Sequence, residues 1–149
     1  MSRNKDPDFL TSDFKGAKLV APMATKQVIK PKNSPPVVGP YSHAVRVGDL
    51  LFCAGQIPID PKDGKLIIGD IKAQTDRVLQ NVKAILDDQG LTFANAVKTT
   101  VYLTDLANFC GMNETYAKYF TENFPARATV QVAALPKEAL VEIEVVAHF

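Results

Sequence analysis

Two periods alternate along the chain, and the period of each stretch predicts its element. A two-residue alternation runs through "VEIEVVA" (141–147), where Val141, Ile143 and Val145 fall on one strand face and Glu142 and Glu144 on the other. The stretch before it, "ARATVQV", reads as a strand with Arg127 at its foot, just behind Pro125. "AVKTTVYLTD" is rich in β-branched residues and reads the same way. Nearer the start, "GPYSHAVRVGDLLFCAGQIPI" holds two apolar strands that meet in a hairpin at Gly48-Asp49, with Pro58 ending the second. "DPKDGK" is a turn, with Gly64 suited to a positive φ, and a third short strand is expected at "LIIG". "QVIKP" reads as a short edge strand, after which Pro31, Pro35 and Pro36 impose an extended connector that cannot join a ladder.

Helical spacing appears twice. In "DIKAQTDRVLQNVKAILDDQG", Ile71, Val78, Leu79, Val82, Ile85 and Leu86 form one stripe, with Asp70 as N-cap and Gly90 at the stop. In "LANFCGMNETYAKYFTENF", Leu106, Phe109, Met112, Tyr116 and Phe120 form another, capped by Thr104 or Asp105, and Asn113 falls inside it. The order is three strands, helix, strand, helix, strand, strand. This predicts an α+β domain over residues 26–149, with two helices covering one face of a sheet. No segment remains to cover the other face, so burial against further copies in a closed homo-oligomer is expected.

Residues 1–25 show no period and mix Arg3, Lys5, Lys15 and Lys18 with Asp6, Asp8 and Asp13. They are expected to form a flexible arm, either a native extension or residues ahead of a natural start at Met23, with Phe9 and Leu10 available to dock on the surface. The acidic residues and the lack of an apolar centre fit neither a transit peptide nor a secretory signal.

Composition narrows the function classes. At 149 residues and 46% hydrophobic, the chain can bury one sizeable core. A formal charge of +1 gives no broad basic field for a phosphate backbone, so nucleic acid is an unlikely partner. Cys53 and Cys110 lie outside any metal-ligand spacing and read as small packing residues. A reducing compartment follows, and the cytoplasm is expected, with an organellar address left open. No apolar run nears the roughly 18 residues needed to span a bilayer. Metal clusters, Ser-His-Asp orders, phosphate loops and dinucleotide fingerprints are all missing from the sequence, so chemistry needing a cofactor has no seat.

What remains is a small set of polar residues. On position alone Arg127 reads first as a salt-bridge partner, although an arginine fixed at a strand foot can also fork a carboxylate. Alternation accounts for at least one of Glu142 and Glu144. Asn113 reads as a satisfied buried amide and Tyr41 as packing. If the last two strands were a hairpin turning near Lys137, Glu142 would face Val132, five residues or roughly 16 Å from Arg127. Either these strands are not neighbours, or another subunit completes the site.

The blocks "GPYSHAV", "LLFCAGQIPIDPKDG", "QNVKAIL", "VKTTVYLTDLANF", "NETYAKYF" and "FPARATVQVAALPKEALVEIEVVA" closely resemble the RidA family of enamine and imine deaminases, from about Val28 to His148. The resemblance implies a chorismate-mutase-like fold with a six-stranded sheet, a homotrimer with clefts between subunits, and a final strand in mid-sheet. It implies hydrolysis of 2-iminobutanoate and 2-iminopropanoate to 2-oxo acids and ammonia, without a cofactor or metal. By motif, Arg127 of "PAR" clamps the substrate carboxylate, and Glu142 of "EIE" positions or activates water. Tyr41, the backbone at Gly55, Asn113 and Thr129 line the cleft, while Glu144 is left a structural role. The chain departs from the commoner pattern at Ala54, where serine is usual, and at Ala128-Thr129 in place of Ser-Cys. The absence of that cysteine argues against a thiol mechanism. Two rival readings are an endoribonuclease or translation inhibitor, and a non-catalytic small-acid sensor or chaperone-like module. Solitary His43 and His148 offer the first no catalytic pair.

Overall fold

The computed structural model describes residues 25–149. The expected arm and any docking by Phe9 and Leu10 therefore lie outside the described residues. Six strands form one sheet: β1 (Lys26–Ile29), β2 (Ala44–Val47), β3 (Leu50–Gln56), β4 (Ala96–Leu103), β5 (Ala126–Gln131) and β6 (Val141–His148). Their order across the sheet is β1-β2-β3-β6-β4-β5, with β4 and β5 parallel and every other pair antiparallel. The expected edge strand is β1, and Gly48 turns the β2–β3 hairpin at φ 58°, a left-handed value that a glycine adopts without strain.

Helix α1 (Ile71–Asp88) begins where the Asp70 side chain accepts a hydrogen bond from the Ala73 amide at 2.9 Å. Its expected stripe is buried, and it packs on β3 and β6 through Val78, Leu79, Val82 and Ile85. From β6, Val141, Ile143, Val145 and Ala147 face this layer. The other sheet face carries no helix among the described residues. There the register aligns Val28, Val45, Phe52 and Val146 in one apolar row, with Val28 51% and Phe52 44% exposed. No helix among these residues is long and apolar enough to cross a membrane.

Two expectations need correction. "LIIG" forms no strand: Leu66 makes a single bridge to Ile59, and Ile68 is fully exposed. Pro58 and Pro61 withhold amide donors from the segment that would pair with it, so the ladder stops after one rung. The second helix, α2 (Phe109–Tyr116), is shorter than its stripe. A 3₁₀ turn at Leu106–Asn108 precedes it, started by the Asp105 side chain accepting from the Ala107 amide, and Leu106 is exposed there. The final strand takes the mid-sheet place that the family resemblance implied: β5 and β6 do not pair, and a 3₁₀ turn at Pro136–Glu138 carries the chain to the centre of the sheet, between β3 and β4.

Candidate active site

The face on which each polar residue stands follows from strand parity and register. On β6, Glu142 and Glu144 alternate with the buried Val141, Ile143 and Val145, and so point to the open face. Glu144 accepts a hydrogen bond from the Tyr102 hydroxyl at 3.1 Å. Glu142 lies opposite a β-bulge in β3, where three residue steps from Cys53 to Gln56 match two from Val145 to Ile143. The extra residue brings the Gly55 backbone onto the Glu142 side chain. A Cβ at Gly55 would overlap Glu142 Oε1 and stand 2.8 Å from its Cδ, so glycine is what lets the carboxylate lie there.

A cavity of about 580 Å³ opens beside this contact, lined by Val37, Tyr41, Ile57, Ile59 and Pro136 together with Gly55, Ala54 and Glu142. Burial pushes the Glu142 carboxyl above the usual carboxylate range, and the charge of Glu144 adds to the rise. The loop roofing the cavity is held by His43, whose Nε2 donates to the Pro35 carbonyl at 2.7 Å, while the His43 carbonyl accepts from the Ala54 amide at 2.9 Å. Cys53 belongs to the buried core, not to the cavity lining, and burial pushes its thiol up to about 12.

Arg127 stands elsewhere. It is level with Thr99 on β4, whose hydroxyl meets the Tyr116 hydroxyl at 2.8 Å, so Arg127 points to the helix-covered face. Its Nη1 donates to Asn113 Oδ1 at 2.8 Å, and its Cζ lies 4.7 Å from the Tyr116 ring centroid and 5.7 Å from that of Phe109. Asn113 is thus half-buried and engaged by Arg127, not a fully buried amide. Thr129 is two residues along on the same face, its Oγ1 shielded and without a partner among the described residues. A second cavity, of about 380 Å³, joins Asn113, Tyr116, Phe120, Phe124 and Arg127.

The sequence-predicted residues therefore separate into two groups within one chain. Tyr41, Gly55 and Glu142 share the first cavity, and Arg127 and Asn113 the second. The mid-sheet position of β6 does not unite them. Glu142 is level with Tyr102 and Arg127 with Thr99, which separates them by about 10 Å along the sheet and about 10 Å across it, on opposite faces. Sequence reasoning missed three lining features: His43 as a latch, the half-buried Val37 and exposed Val38 of "PPVVGPY", and Lys137 at the cavity rim. The first two carried a faint signal, an apolar run in a proline-rich connector. Among the described residues no group of three or more His, Cys, Asp or Glu stands close enough to hold a metal ion.

Residues 31–149 match the family model described as Endoribonuclease L-PSP. The chain is 53% identical to a RutC family protein of Pyrococcus horikoshii, over 83% of this chain and 98% of that one. It is 46% identical to the human 2-iminobutanoate/2-iminopropanoate deaminase, over 82% of this chain and 89% of the human protein. The solved structure of E. coli TdcF with bound serine superimposes with a TM-score of 0.78 at 38% identity, covering 83% of this chain and 98% of TdcF. The family match takes in every strand and helix after β1, and the chain belongs to the RidA family.

Proposed function

We propose that this protein is a 2-imino acid deaminase that hydrolyses 2-iminobutanoate, 2-iminopropanoate and their enamine tautomers to 2-oxo acids and ammonia. The observation that carries the reading is the Glu142 carboxylate, lodged against Gly55 in a largely apolar cavity that raises its proton affinity. A base of that kind suits a modest reaction. Water attacks C2 of the imine while Glu142 takes one of its protons and passes it to the imine nitrogen, giving a neutral tetrahedral carbinolamine. Glu142 then takes the hydroxyl proton and delivers it to that nitrogen as the C–N bond breaks, releasing ammonia and the 2-oxo acid and restoring the carboxylate. An imine already hydrolyses in water, so orientation and one proton shuttle suffice.

The substrate carboxylate is the natural ligand of Arg127. Asn113 uses one of the five guanidinium N–H groups and leaves others for a two-pronged grip. Because Arg127 and Glu142 of one chain face opposite sides of the sheet, this reading takes the guanidinium from a neighbouring copy in a homotrimer. Tyr41 and Gly55 shape the side that holds water, and Asn113 and Thr129 the side that holds the carboxylate. The exposed apolar row through Phe52 supports such an assembly, and the similarity to the human deaminase supports the chemistry. No step calls for a cofactor.

The test is a dehydratase acting on threonine or serine in the presence of semicarbazide, with and without this protein. Faster release of 2-oxo acid and ammonia, at the expense of the semicarbazone, is expected. An unchanged semicarbazone yield would refute the reading. RNA cleavage that persists in Arg127→Ala through repeated purification would favour the endoribonuclease named in the family description instead.

A further inference from the structure

The turn before β6 holds an uncommon backbone. Lys137 has φ 55° and ψ 25°, and Glu138 follows at φ 59°, two successive left-handed residues, neither of them glycine. Side chains rarely adopt this conformation because Cβ crowds the carbonyl, and strain of this kind persists only where its surroundings impose it. Here the result is to aim Lys137 at the rim of the Glu142 cavity. Among the described residues it is the only lysine or arginine that lines this cavity. Its Nζ donates to the Gly64 carbonyl at 3.2 Å and has no carboxylate partner among those residues. An ammonium carries three donors, so two remain for a ligand.

The electrostatics of the cavity give that cation a task. A substrate bearing a carboxylate must approach a cavity floored by Glu142, with Glu144 beside it, and like charges oppose the approach. Arg127 of the same chain stands on the other face; in the reading above a neighbouring copy's Arg127 grips the carboxylate once it is bound, which leaves Lys137 as the cation that meets it at the mouth. We propose that Lys137 is a steering residue for the anionic substrate: the left-handed turn is kept because it holds an ammonium at the cavity mouth, where it meets the incoming carboxylate. The role in turnover rests on the deaminase reading above, whereas anion binding at the cavity mouth does not.

The test uses Lys137→Gly and Lys137→Arg in the full chain. Glycine removes the ammonium and accepts the left-handed backbone, so thermal stability is expected to hold or rise. KM for 2-iminobutanoate is expected to rise about 5- to 20-fold with kcat within about twofold, a gap that narrows at about 0.5 M salt. Arginine restores most of KM. A KM unchanged in Lys137→Gly, or a marked loss of thermal stability with no salt-dependent change in KM, overturns the proposal and leaves Lys137 a structural pin on the Gly64 turn. If the unaltered protein turns over no imine, the deaminase reading fails, and the steering role is then judged by binding alone. In that case 2-oxobutanoate is titrated while the amide shifts of Ala54 and Gly55 are followed. Affinity at least fivefold weaker in Lys137→Gly supports the anion site, and equal affinity, or none in the unaltered protein, refutes it.

Discussion

Arg127 and Glu142 differ in what a conservative change removes. Lysine keeps the charge of Arg127 but cannot bond Asn113 and fork a carboxylate together, so Arg127→Lys is expected to lose about 2 to 4 kcal/mol of transition-state binding, or roughly 30- to 1000-fold in kcat/KM, with the fold kept. Activity within about threefold of wild type in steady-state assays would make the arginine a structural partner only. Glu142 gives a prediction of opposite signs. Its pKa in the fold lies above the ordinary 4.5, so the folded chain holds this proton more tightly than the unfolded chain does. The ionised carboxylate therefore costs stability above the folded pKa, and the cost disappears as pH falls toward 4.5. Activity needs the ionised form, so its acid limb is expected at higher pH than an ordinary glutamate would give. Glu142→Gln at pH 7 is expected to melt no lower than wild type while kcat drops about 10²- to 10⁴-fold. A drop in melting temperature would instead make Glu142 a stabilising ion partner. Gly55→Ala drives a methyl into the Glu142 carboxylate, and the expected result is loss of kcat from a displaced base in a chain that still folds. An alanine variant with wild-type kcat would show that the contact is not needed for turnover.

At the scale of elements, legibility followed how much of the evidence was local. Helix α1 was readable because its cap and its stripe lie within one stretch, and Asp70→Ala is expected to cost about 1 kcal/mol in chemical denaturation through loss of the bond to the Ala73 amide. A cost near zero would mean that packing alone fixes the helix start. Strand β6 was readable in its faces but not in its neighbours, because alternation of Val141, Glu142 and Ile143 fixes parity and says nothing of which strands flank it. Its central place came only from resemblance to a family. "LIIG" misled for the converse reason: its residues suit a strand, yet the prolines opposite deny it a ladder. The left-handed pair at Lys137 and Glu138 was invisible, since neither residue type signals such a turn. The opposed faces of Arg127 and Glu142 depended on the parallel register of β4 and β5, which no local pattern encodes.

For the molecule as a whole, that opposition becomes a claim about assembly. A site needing both charges within one chain is excluded by geometry, since they stand on opposite faces and about 10 Å apart in each sheet direction. The apolar row from Val28 to Val146 gives the open face a surface that association would bury. A trimer, about three times 16.2 kDa, is the expected mass by light scattering. Mass alone does not show that sites are shared, but two disabled chains do. If each site takes Arg127 from one copy and Glu142 from the next, a trimer containing both Arg127→Lys and Glu142→Gln chains can hold a site in which both contributing residues are intact. Random assembly of equal amounts makes about one site in four intact, so co-expressed chains are expected to regain about a quarter of wild-type kcat, although each variant alone is nearly inactive. Were both charges drawn from the same chain, no mixture could contain an intact site. Co-expressed material no more active than the better single variant, with mixed trimers verified by mass, would therefore refute the shared site and require another partner for Glu142.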